Sequence, residues 1–159
     1  MADATQRQQA VDALARQVVA DVSPAELPLF GATAARYHAD PAATLATKPS
    51  SDETLGFGAE TVAVLVAPYA LDLIQRLFAK LADRLGESAA DGLTHRILSL
   101  FGRDRHESAV TAAQADPLTP EQLSVIGETA RAEAAELALP KEQSEALANA
   151  VVAALATRT

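Results

Sequence analysis

The stretch that decides the fold is residues 59–85, AETVAVLVAPYALDLIQRLFAKLADRL. Its first half, Thr61-Val62-Ala63-Val64-Leu65-Val66-Ala67, has the β-branched content of a buried strand. A strand must pair, however, and no second convincing strand exists in the chain to receive it. The second half has a helical period: Leu71, Ile74, Leu77, Phe78, Leu81 and Leu85 share one face, opposed by Asp72, Arg76, Asp83 and Arg84. We therefore read 59–85 as a central helix, apolar all round at first and amphipathic later. It bends at Pro68, where the hydrogen bond to the Val64 carbonyl is lost.

The segments on either side are helical too. From Ala4 to Val22, apolar Val11, Leu14, Val18 and Val22 line one face and polar Gln6, Arg7, Asp12, Arg16 and Asp21 fill the rest. Ser23-Pro24-Ala25-Glu26 reads as a helix start in which Ser23 caps and Glu26 reaches back. Pro28 makes that first turn a separate short piece before a helix ending near His38, and Asp40-Pro41 stops the run. Residues 41–58 form the main loop, with a polar breaker cluster at Lys48-Pro49-Ser50-Ser51-Asp52-Glu53. Gly56 and Gly58 lack the third glycine of a dinucleotide fingerprint and the lysine of a P-loop, so they bind no phosphate on this reading.

After the central helix, Gly86 is placed as a C-terminal cap, and a helix from about Ser88 to Phe101 follows. Asp104 and Glu107 open a short helix to Ala115, closed by Asp116-Pro117. Residues 117–159 form a C-terminal helical hairpin subdomain. Thr119-Pro120-Glu121-Gln122 is its capping box, Leu139-Pro140 its turn, and Lys141 to Thr157 its last helix, whose small-residue stripe predicts peripheral packing. The expected architecture is all-α: one domain over 1–159, a compact bundle of about six to seven helices with the kinked hydrophobic helix at its centre.

Composition agrees. At 159 residues, 49% hydrophobic and 21% charged, the chain can bury a core without staples. Aromatics are only 4% and alanine dominates, which favours close helix packing over sheets. There is no cysteine, so disulfides, thiol nucleophiles and cysteine-ligated zinc are excluded, in keeping with a reducing compartment. The amino terminus lacks a signal-like apolar run, and the uncharged, most hydrophobic stretch, Thr61 to Leu71, is about half what a bilayer span requires. A cytoplasmic location is expected. The formal net charge of −8 argues against nucleic acid, whose phosphates need a cationic face.

Ser23-Pro24-Ala25-Glu26-Leu27-Pro28-Leu29-Phe30, Tyr37-His38-Ala39-Asp40-Pro41, the Leu55-Gly56-Phe57-Gly58 loop and the Pro120 and Pro140 hairpin together resemble small uncharacterised actinobacterial helical proteins. The resemblance covers most of the chain and implies a helical fold. It carries no activity.

Chemistry is sparse. Glu87, Asp91 and His95 lie four apart on one helix face, a spacing that suits a metal, yet acids at a helix start and a histidine beside Arg96 have simpler roles. No metal and no cofactor are expected. The carboxylate pairs Glu133 with Glu136 and Glu142 with Glu145 fall on faces read as exposed. No serine stands in a nucleophile elbow, so no enzyme is expected. Arg96, Arg103, Arg105 and His106 are the one local basic concentration, next to the apolar Leu71, Ile74 and Phe78 stripe. These seven residues are the expected contacts of a non-enzymatic adaptor or interaction module with a protein partner or a second copy of itself. The rival reading is a membrane-surface protein that inserts the 59–101 segment with its basic turn against anionic headgroups.

Overall fold

Ala10, Val11, Leu14, Ala15, Val18 and Val19 recur at helical spacing along α1, Ala4–Val22, and are buried without remainder. So broad a buried face means that α1 is surrounded. The computed structural model describes residues 4–46, 66–101, 119–137 and 139–156. Seven α-helices and one 3-10 turn run through them, with no strand among the described residues. After α1 come the 3-10 turn Pro24–Glu26, α2 Leu27–Ala39, α3 Pro41–Ala46, α4 Val66–Leu85, α5 Glu87–Phe101, α6 Pro120–Ala135 and α7 Lys141–Ala156. α1 packs on α4, α5 and α7, while α4 packs on α2, α5 and α6. The all-α helical bundle expected from the sequence is the fold.

Several local readings change. Ser23 makes no side-chain cap, and Glu26 does not reach back to it. The Glu26 carboxylate instead crosses to α4, where its two oxygens accept from the N–H groups of Val66 and Ala67 at 2.9 and 3.0 Å. A helix start buried as these two residues are needs an acceptor for its free amides, and a carboxylate also suits the positive end of the helix. Pro68 stands in the first turn of α4 as described, a position that suits proline. Ala59–Leu65, on which the bend read at Pro68 depends, lie outside the described residues.

The first part of the expected 41–58 loop is also helical. Asp40-Pro41 stops α2, as read, but the same pair starts α3: the Asp40 carboxylate accepts from the Ala43 N–H at 3.0 Å, and proline suits the first helical position. Residues 47–58 and the helix expected from Asp104 to Ala115 lie outside the described residues. Gly86 ends α4 with a φ of +91°, a conformation open to glycine at little cost.

The C-terminal hairpin is present with its capping box intact. Thr119 accepts from the Gln122 N–H and Gln122 accepts from the Thr119 N–H, both at 3.1 Å. Its last helix is not peripheral. Leu147, Ala148, Val151 and Leu155 of α7 are fully buried, because small side chains let α7 approach α6 on one side and α1 on the other.

Candidate functional site

Titratable side chains come together at three helix junctions. The most buried joins α2, α4 and α6. The Tyr37 hydroxyl donates to Asp72 Oδ1 and Arg76 Nε donates to Asp72 Oδ2, each at 2.8 Å. Beyond Arg76, Glu133 of α6 lies 3.9 Å from the Arg76 guanidinium and 4.0 Å from the Lys80 ammonium. Asp72 had been placed on the polar side of its helix, and its side chain is nevertheless buried, since α2 closes over that side. Glu133 is likewise turned into the α4–α6 junction rather than standing on an exposed face beside Glu136. Burial is the main cause that pushes the Tyr37 phenol above its ordinary range; the hydrogen bond to Asp72 and the charge of Asp72 add to it, and Arg76 opposes.

That shift has a signed consequence. The folded state holds the phenolic proton more tightly than the unfolded chain does. The stability this contributes is fully present below the ordinary phenol value of about 10 and is lost as pH rises through the folded-state value. Tyr37→Phe is therefore expected to flatten the loss of unfolding free energy between about pH 9 and about pH 11 relative to the parent chain. Urea melts across that range check it, and parallel declines in the two proteins would refute the assignment.

The second junction joins α1 to α5. The Arg7 guanidinium donates to Glu87 at 3.0 Å and to Asp91 at 3.1 Å. The hydrogen bond to Glu87 is the largest influence raising the Arg7 pKa. Glu87 and Asp91 thus converge as their spacing implied, but on an arginine of another helix, while His95 is exposed. No group of metal-ligating side chains occurs among the described residues. The third junction joins α1 to α2 through His38 Nε2 and Asp12 Oδ1, 2.6 Å apart. In all three, polar groups that could do chemistry are bonded across helix interfaces.

The structure does not bring the expected contact residues together on a surface. Leu71 and Ile74 are 0% exposed and Phe78 is 1%, enclosed by the neighbours of α4. In the folded chain they are core. Arg96 is half-buried on α5, and Arg103, Arg105 and His106 lie outside the described residues.

What sequence reasoning missed is the outward side of α2 and α3. Phe30, Ala34 and Tyr37 turn inward, so the opposite side of α2 faces solvent. Of the eleven exposed residues from Pro28 to Ala43, only Arg36 and Asp40 have polar side chains. Leu29 is 59% exposed, the most open large apolar side chain among the described residues. Leu29-Phe30 alone gave no signal, since adjacent bulky residues such as Leu77 and Phe78 are both buried on α4, and only the packing of α2 decides which of the pair faces outward.

Fold and junctions together define a helical bundle whose convergent polar groups join helices. No protein-family model, no curated protein and no solved structure matches the chain.

Proposed function

We propose that this chain is a non-enzymatic helical interaction module working in the cytoplasm, and that it docks through the outward side of α2 and α3. The observation that carries the reading is the exposed, nearly uncharged surface from Pro28 to Ala43 in a chain of net charge −8. A contiguous apolar exposure of this kind is what partner-binding surfaces present. The polar groups bonded from helix to helix at the three junctions support a role without chemistry of its own, and the lack of cysteine supports a reducing compartment. The membrane-insertion reading gains no support. It needs Leu71, Ile74 and Phe78 at a surface, and no described helix is long and apolar enough to cross a membrane.

Leu29→Glu tests the proposal with little effect on folding, since an exposed helix position tolerates charge to within about 0.5 kcal/mol. Affinity capture from the native cells is expected to recover a defined set of proteins with the parent chain and to lose it with Leu29→Glu. Equal recovery by two equally folded proteins would overturn the docking face.

A further inference from the structure

The two charges on this face say which partner it fits. Along α2, Leu29, Ala32, Arg36 and Ala39 follow at spacings of three, four and three and so share one side of the helix, with Asp40 beside them. All five are exposed. The Arg36 guanidinium makes no ion pair or hydrogen bond among the described residues, and the Asp40 carboxylate holds the Ala43 N–H through Oδ1. The result is an apolar surface bearing one cation and one anion about a helical turn apart, with no net charge.

Resting on the docking face proposed above, we propose that its occupant is a second copy of this chain. The contact is a two-fold one in which Arg36 of each copy pairs with Asp40 of the other. In a two-fold contact, residue i meets j and j meets i, so two opposite charges on one face complement themselves when the axis passes between them, near position 38. An arrangement with the axis at Arg36 itself would set like charges against each other. The overall charge of −8 drives copies apart, and a contact between them must lie where the local charge cancels. This face meets that condition. Eleven exposed residues a side fall short of the roughly 20–30 of a standard interface, so the dimer is weak and dependent on concentration.

Sedimentation velocity over a wide concentration series, with circular dichroism to confirm helix content, provides the test. The parent chain is expected to move reversibly from monomer towards dimer, and Arg36→Glu and Asp40→Lys are each expected to remain monomeric. Because Asp40 also caps α3, loss of the dimer in Asp40→Lys alone could reflect a local change. The equimolar mixture of the two variants removes that doubt: one supplies two acids and the other two bases, so one cross-pair is the parent Arg36–Asp40 pair, the other forms with reversed sign, and the dimer returns. A parent chain that stays monomeric at the highest concentration, single variants that dimerise like the parent, or a mixture that stays monomeric would each overturn the self-contact. If the parent is monomeric while Leu29→Glu still loses its captured proteins, the self-contact alone fails and the docking face stands. If Leu29→Glu captures the same proteins as the parent, the docking face itself fails.

Discussion

Phe78→Ala is expected to lower the unfolding free energy by about 3–5 kcal/mol, read from urea melts followed by far-ultraviolet circular dichroism. The phenyl ring is 1% exposed and belongs to the α4 stripe enclosed by α1, α2, α5 and α6. Its removal forfeits transfer free energy and leaves a cavity that rigid helices close only in part. A whole domain is stable by about 5–15 kcal/mol, so this one change removes a large fraction of the total. The same magnitudes bear on membrane insertion. Exposing Leu71, Ile74, Leu77, Phe78 and Leu81 to water, as release ahead of insertion requires, forfeits about 1.5–3 kcal/mol for each, on the order of the entire stability. Releasing the α4 stripe is therefore equivalent to unfolding the bundle. A cost below about 1 kcal/mol for Phe78→Ala would mean that the ring is not packed as described.

Asp72→Ala is expected to cost about 2–4 kcal/mol, more than any exposed charge in the chain. The carboxylate receives the Tyr37 hydroxyl and Arg76 Nε, both at 2.8 Å, inside a junction that excludes most water. Without it the Tyr37 hydroxyl is buried with no acceptor, and an unsatisfied buried donor costs about 1–3 kcal/mol. Arg76 is better placed, because its half-exposed guanidinium can turn to water. The main loss therefore runs through Tyr37. A double-mutant cycle with Tyr37→Phe is expected to show coupling of about 1–2 kcal/mol, and additive effects within about 0.3 kcal/mol would show that the hydroxyl and carboxylate act independently. The Arg76 and Lys80 approaches to Glu133 are long and their cations partly exposed, so they contribute little.

The helical class was legible in the stripe from Leu71 to Leu85 because periodicity is a property of neighbours in sequence, and the Thr119 capping box was legible because all its atoms lie within four residues. Glu26 was misread for the complementary reason. Its local option was Ser23 three residues back, and the amides it satisfies are 40 and 41 residues away. Asp40-Pro41 carries both a stop and a start, and the start, in which Asp40 accepts from the Ala43 N–H, has no apolar period after it long enough to mark a helix. The polar side of α4 was read as solvent because a single helix cannot show that α2 and α6 flank it, which hid both Asp72 and Glu133. Alanine in α7 was read as marginal packing, whereas against α1 and α6 its small size is what permits burial on two sides. The candidate surface on α2 was the least legible part. An exposed apolar face and a buried one have the same composition, and only the inward assignment of Phe30, Ala34 and Tyr37 distinguishes them.

The hydrophobic α4 stripe is core, and the proposed working surface lies on α2. The absence of cysteine allows one direct measurement: thiol labelling rates of the single variants Leu29→Cys and Leu71→Cys under native conditions. Leu29→Cys is predicted to react about as fast as an unstructured thiol. Leu71→Cys is predicted to react at least about 1,000-fold more slowly, since labelling must await an opening that costs several kcal/mol. Comparable rates at the two positions in folded protein would contradict this arrangement, because the α4 stripe would then be a surface and α2 would not be distinguished from it.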